Sequence, residues 1–272
     1  MLSTHQEWRY KKQGKDIIPY EILKEDFALV ALLKSCIKNK DLGRGTKLHA
    51  HMLKVNLLER NPYLATTLIN MYAKCGMIEK AKQVLEDIPN RDIVAWCALI
   101  SGYTKQDRGY EALNCFERMQ SEGLSPDAII LTSILKACGN IKAAEKGQEI
   151  HSNITPGGLL ETNIIVGTAL VGMYMKCGLP AKAQEIFNKL TSRNVISWNT
   201  LLSGYAEQGQ GHNAFICLKR MQSEGLSPDI VTFTCILKAC GRIGTIGIGI
   251  QVHEEIVRKV KSYILTYTNT IC

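Results

Sequence analysis

The sequence contains no Cys-x-x-Cys pair although it has ten cysteines, which removes the paired zinc ribbon and the thioredoxin-like redox motif and leaves reduced thiols as the default. No apolar run approaches the roughly 18 residues that a membrane-spanning helix needs. The longest candidate, near Ile246, is broken by repeated glycine, so no membrane partner is expected. The amino end lacks the basic, apolar and small-residue zones of a secretory signal. Its Glu7, Asp16, Glu21 and Glu25 also run against the acid-poor composition of an organelle transit peptide. Nor is there a dense lysine block. The formal charge is +8, but residues 26–61 hold seven basic against three acidic side chains, 62–127 seven against nine, and 230–272 five against two. Such a balance permits an anionic partner whose recognition rests on more than charge. What the 272 residues do have is 46% hydrophobic and 21% charged content, enough apolar chain for a core and too much for disorder.

The dominant positive signal is internal repetition. RMQSEGLSPD at 118–127 recurs unchanged at 220–229, an offset of 102. At the same offset Ile134-Leu135-Lys136-Ala137-Cys138-Gly139 returns as Ile236-Leu237-Lys238-Ala239-Cys240-Gly241, and Met71-Tyr72-Ala73-Lys74-Cys75-Gly76 as Met173-Tyr174-Met175-Lys176-Cys177-Gly178. Trp96 maps to Trp198, and two triplets share the spacing: His49, His151 and His253, and Cys36, Cys138 and Cys240. Solenoid steps take about 20–50 residues, so a period near 100 must subdivide. With the Ser-Pro-Asp and Arg-Asn or Arg-Asp turns as punctuation, the units are 26–61, 62–92, 93–127, 128–163, 164–194 and 195–229, of 36, 31 and 35 residues in order, then an incomplete seventh over 230–272 with a divergent tail. A poorly matched leader occupies 1–25.

Within a unit the apolar spacing is helical. In 195–229, Leu201, Leu202 and Tyr205 precede a break at Gly209-Gln210-Gly211, and Ala214, Leu218 and Met221 follow at i, i+4 and i+7. Gly225 then caps a helix that Pro228 cannot continue. The 31-residue units place Cys177-Gly178 between their helices and an Arg193-Asn194 turn after them. Each unit is therefore expected to be a helix pair too small to bury its own apolar face, and stacking in register gives an all-α architecture, a right-handed α-α superhelix or solenoid.

Units of 36, 31 and 35 residues carrying SWNTLLSGYAEQGQ, MYAKCG and ILKACG resemble pentatricopeptide repeats of the plant subclass that alternates long, short and standard motifs. The resemblance covers roughly residues 26–260. Tetratricopeptide repeats are also helix pairs, but their regular 34-residue period does not fit. The resemblance implies a partner, single-stranded organelle RNA, read at one base per repeat, in mitochondrion or chloroplast. In that family the fifth residue of a motif and its last residue read the base, and the second residue packs on base faces. Carried over, the reading pairs are Thr66 with Asp92 for guanine, Thr168 with Asn194 for adenine and Asn199 with Asp229 for uracil. Cys97 with Asp127, Thr132 with Asn163, and Thr234 occupy the same positions less informatively, and Val30, paired with Asn61, offers no polar atom. The stacking positions are Phe27, Tyr63, Val94, Ile129, Ile165, Ile196 and Val231. The implied footprint, 5′ to 3′, is x-G-x-x-A-U-x.

Hydrogen-bonding capacity is consistent with these pairings. An ionised aspartate only accepts, which suits guanine's donor edge or the imide of uracil, whereas asparagine donates and accepts, as adenine requires. A thiol such as Cys97 is too weak a donor to discriminate, so that unit reads as a spacer. Each residue also has a plainer role available. The stacking positions could face the core, Asn199 and Thr168 could cap helices, and Asp127 and Asp229 could be turn residues after proline. The recurring cysteines read as small packing elements, and the histidine triplet lies too far apart along a solenoid to hold one ion.

His253-Glu254-Glu255 fits the His-x-Glu half of a zinc nucleotide-deaminase signature, but its Pro-Cys-x-x-Cys half is missing. With no acid–base, nucleophile or metal set outside the repeats, neither an enzyme nor a cofactor is expected. The resemblance then implies a recognition array that guides RNA editing or processing by recruiting a deaminase or other factor in trans. The competing expectations are an α-solenoid scaffold for protein partners and a truncated fragment of a longer array, the latter favoured by the frayed ends.

Overall fold

The computed structural model describes residues 20–89, 91–155, 158, 162–243, 250, 253, 254, 257 and 258. Most of the leader and the tail from 259 lie outside them. Every regular element among the described residues is helical, with no strand. Two compact units divide the chain, Met1–Leu99 and Ile100–Cys272.

The first unit contains α1 (Tyr20–Asn39), α2 (Leu42–Lys54), the single turn α3 (Leu57–Arg60), α4 (Pro62–Lys74) and α5 (Ile78–Asp87). The division falls inside α6 (Ile93–Lys105). The second unit continues with α7 (Gly109–Ser121), α8 (Ala128–Asn140), α9 (Ala144–Ile154), α10 (Ile164–Lys176), α11 (Pro180–Lys189), α12 (Val195–Glu207), α13 (Gly211–Ser223) and α14 (Ile230–Ile243). Short α3 departs from the two-helix expectation: Leu57 and Leu58 are buried and pull an extra turn onto α4.

In the first unit α4 packs against α1 and against α5. In the second, α8, α10, α12 and α14 form a row in which each touches the next, and α9, α11 and α13 each lie against the helix before and the helix after. A helix in the row is thus covered by neighbours on several sides, which explains why α10 and α12 are apolar around most of their circumference. The MYxKCG sequence has its reason here. Met71 lies over Gly45, and Met173 over Gly147, where an added Cβ would come within 2.6 and 2.5 Å of the methionine side chains. Trp96 and Trp198 are fully buried, the latter edge-on to Phe187 with centroids 4.5 Å apart. Burial pushes the Cys138 and Cys217 thiols up to about 12, so these cysteines act as small apolar packing groups.

Among the described residues one turn recurs six times between the helices of a unit. A residue just after the end of α1, α4, α6, α8, α10 and α12 is left-handed: Lys40 one position on, and Gly76, Asp107, Lys142, Gly178 and Gly209 two positions on, with φ between 53° and 85°. In each case the following N–H returns to a carbonyl five residues back, as in Asp41 to Cys36 (3.0 Å), Met77 to Tyr72 (2.9 Å), Arg108 to Tyr103 (3.0 Å) and Gln210 to Tyr205 (2.9 Å). This closes the helix with the 6→1 bond of a Schellman turn and sends the chain back antiparallel. Glycine is present at only half of these positions, and the other three hold the same geometry without it.

Candidate nucleic-acid interface

The side chain that ends each sequence unit starts the helix that follows it. Asn61 accepts from the N–H groups of Tyr63 and Leu64, Asp92 from Ala95, and Asp127 from Ile130. Asn163 accepts from Ile165 and Val166, Asn194 from Ser197, and Asp229 from Thr232. Capping therefore belongs to these six residues. The alternative that Asn199 and Thr168 are caps fails, since each lies five residues into its helix. The turn reading of Asp127 and Asp229 holds in the form of an N-cap. The available signal was an Asn or Asp standing directly before an apolar helical run, reinforced at Asn61 by Pro62 in the first helical position.

Two positions beyond each of the six caps stands an exposed apolar side chain, and Phe27 holds the matching unit position within α1. Phe27, Tyr63, Val94, Ile129, Ile165, Ile196 and Val231 are 44–69% exposed. The core-facing alternative is overturned at all seven by exposure; in the six capped helices the second residue points away from the neighbour that buries positions three and four, such as Leu64 and Ala65 or Ser197 and Trp198. An isolated exposed isoleucine is unremarkable, but recurrence at one register marks a surface.

Two of the three informative pairs meet within their own unit. In the first, the Thr66 hydroxyl donates to Asp92 Oδ1 at 3.3 Å, and Thr66 is buried. In the second, Asn199 Nδ2 donates to Asp229 Oδ1 at 3.0 Å, with Asn199 only 8% exposed. Burial pushes the Asp229 carboxyl up, but hydrogen bonds from the Thr232 N–H, the Asn199 amide and the Val231 N–H, with the Thr232 hydroxyl close by, outweigh it, holding the group below the usual range. Asp229 is thus an ionised, acceptor-only group at neutral pH. Thr168 and Asn194 are not hydrogen-bonded to each other. Asn194 instead closes a capping box with Ser197.

The remaining positions are differently committed. Asn61 donates to Asp26 Oδ2 at 2.8 Å while capping α4, and its partner position, Val30, is buried. Thr132 donates to the Ala128 carbonyl and Thr234 to that of Ile230, both at 2.7 Å, so these hydroxyls are satisfied within their own helices. Cys97 is half-buried. Two groups that sequence reasoning did not single out complete the picture. Thr232, fully buried, bonds both members of the Asn199–Asp229 pair. Asp26 engages Asn61.

The histidines have a separate role. His49 Nδ1 and Tyr72 Oη share a hydrogen bond at 2.9 Å, and His151 Nδ1 and Tyr174 Oη share one at 2.8 Å, tying the second helix of a long unit to the first helix of the next. His253 is exposed. Among the described residues no three His, Cys, Asp or Glu side chains converge as a metal set.

Comparison with known proteins follows the same register. The model of the PPR repeat family matches residues 91–140 and 193–242, and that of the PPR repeat matches 63–93 and 168–195, together more than half of the chain. A putative pentatricopeptide repeat-containing protein of Arabidopsis thaliana is 35% identical over 246 residues, 90% of this chain and 48% of that protein. A chloroplastic pentatricopeptide repeat-containing protein of the same plant is 36% identical over 82% of this chain and 36% of its own length. A mitochondrial one is 32% identical over 86% and 23% respectively. The chain thus spans between about a quarter and a half of these curated relatives. Among solved structures, the pentatricopeptide repeat protein PPR10 from maize superposes with a TM-score of 0.67 at 17% identity, over 93% of this chain and 36% of that one. PPR10 in complex with an 18-nt psaJ RNA element gives 0.68 at 23% identity, over 78% and 32%. These likenesses show a shared fold, the superhelical solenoid of helix pairs.

Proposed function

Because the chain belongs to the pentatricopeptide repeat family, we propose that it binds single-stranded RNA, with each helix pair of the long, short and standard series facing one base. The observation that carries this reading is the recurrence of an exposed apolar residue at one unit position, six times two places beyond a helix cap and once, at Phe27, within α1, beside buried polar pairs at the unit junctions. Unpaired bases offer π-faces to apolar side chains and a Watson–Crick edge to two or three polar ones. The partner fold of PPR10, solved with an RNA element, supports the same ligand class.

The units 26–61 to 195–229 are the reading frame of the proposal, with the footprint x-G-x-x-A-U-x. Asp92 and Asp229 serve guanine and uracil, and Asn194 with Thr168 serves adenine. The role is recognition, with editing or processing chemistry supplied in trans by a deaminase or another factor. Chloroplastic and mitochondrial relatives favour an organelle as its setting.

The test is a salt-titrated binding assay with short single strands carrying G-x-x-A-U, the same strands with A and U exchanged, and a duplex control. The expected result is preference for the unexchanged strand and a steep fall in affinity with salt, because phosphate contacts release counterions. Equal binding of all strands and duplex, or no binding at low salt, would sink the reading and leave a scaffold for protein partners.

A further inference from the structure

The Asn199–Asp229 pair is held by a third residue from the next helix of the row. Thr232 is fully buried, and its hydroxyl donates to Asn199 Oδ1 at 2.6 Å. The same hydroxyl accepts from the Asp229 N–H at 3.1 Å and lies 2.9 Å from Asp229 Oδ1, which also takes the Thr232 N–H at 2.8 Å and Asn199 Nδ2 at 3.0 Å. Orientation of an asparagine amide is decided by its partners. Here a hydroxyl proton meets the amide oxygen and a carboxylate meets the amide nitrogen, whereas the reversed amide would set two acceptor oxygens against each other. None of these bonds uses the second N–H of Asn199 or Oδ2 of Asp229.

The other junctions lack this arrangement. At Thr66–Asp92 the corresponding third residue is Ala95, which contributes only its backbone N–H. At Thr168–Asn194 it is Ser197, whose hydroxyl is spent on the Asn194 backbone and does not reach Thr168.

We propose that Thr232 is a positioning residue: it locks the Asn199 amide with nitrogen available and oxygen withdrawn, and so fixes the donor-beside-acceptor pattern offered to the base opposite residues 195–229. The inference rests on the RNA reading. Without the hydroxyl, Asn199 keeps only its bond to Asp229 and can turn its oxygen outward, and two adjacent acceptors suit the neighbouring N1–H and N2–H donors of guanine.

The experiment uses the full chain with Thr232→Val, Thr232→Ala and Thr232→Ser. Four strands carry U, C, A or G at the last informative position of G-x-x-A-U, and thermal melting verifies that each variant folds. The wild type prefers U. Thr232→Val, or Thr232→Ala if the valine fails to fold, narrows that preference by about 3- to 10-fold, as expected for loss of one hydrogen bond, with guanine gaining most, and Thr232→Ser restores it. An unchanged preference in folded valine and alanine variants overturns the proposal. If the wild type itself shows no base preference, the RNA reading fails separately. The positioning role is then judged without RNA, from the side-chain amide resonances of Asn199, identified by their loss in Asn199→Ser. A shifted, faster-exchanging pair in Thr232→Val upholds the lock, and an unmoved pair overturns it.

Discussion

Ile196 and Trp198 lie two residues apart on α12 and have opposite roles. Ile196 is 69% exposed while Trp198 is sealed in the core against Phe187, with its indole N–H on Glu224 at 3.1 Å. Ile196→Ser is expected to change folding stability by less than about 0.5 kcal/mol while weakening RNA binding several-fold, read from parallel denaturation and binding curves. Trp198→Ala should cost about 3–5 kcal/mol through the cavity it leaves. The histidines give a pH dependence. Burial lowers the His151 pKa, with Lys189 and Lys182 acting in the same direction and Glu185 against. Burial likewise lowers that of His49, where Asp87 opposes and Lys80 assists. The unfolded chain therefore takes up protons before the folded one does. Stability should fall as pH drops below the ordinary histidine value of about 6.5, and His49→Gln with His151→Gln should flatten urea midpoints measured between pH 7.5 and 5. At this scale the sequence was partly legible. Recurrence at a register identified which residues matter, because surface function repeats with the unit. It offered Asn199 and Thr168 as alternative caps where Asn194 and Asn163 hold that role, and it passed over Thr232, whose importance lies in a contact across 33 residues that no local pattern carries.

For the helix pairs, the hinge between helices was readable at Gly76, Gly178 and Gly209, since glycine tolerates left-handed backbone. It was not readable at Lys40, Asp107 and Lys142, where other residues are held in the same conformation by the packing on either side. Such positions cost about 1 kcal/mol or more in a residue with a side chain. Lys142→Gly is therefore expected to stabilise the second unit by about 0.5–1 kcal/mol, and Gly178→Ala to destabilise it by about 1 kcal/mol, both measurable as shifts in denaturant midpoint at constant slope. The extra turn α3 was invisible for a related reason. Leu57-Leu58 reads as a helix continuation, and only the left-handed Asn56 (φ 50°) separates it from α2.

Within each compact unit the described helices pack on helices one to three places along the chain, so stability there is a sum of local terms. The two compact units each hold a buried tryptophan, Trp96 in the first and Trp198 in the second. Variants keeping one or the other as the fluorescent reporter should unfold at different denaturant concentrations, and coincident transitions would argue for a single cooperative body. The solenoid class was legible because a period of 36, 31 and 35 residues leaves few alternatives, whereas the division into two units has no sequence mark.

The segment 118–127 and its copy 220–229 are identical in sequence, and they are also alike in shape. Gly123 and Gly225 turn at φ 80° and 77°, Leu124 and Leu226 return their N–H groups to Met119 and Met221 at 3.2 and 3.1 Å, and Asp127 and Asp229 open the next helix with bonds of 2.8 Å. A gene misaligned with itself at these two stretches and crossed over there would gain or lose 102 codons with the local geometry of the seam unchanged. The length of the array could thus change in whole triplets of motifs, each exchange adding or removing three helix pairs while leaving the others as they were.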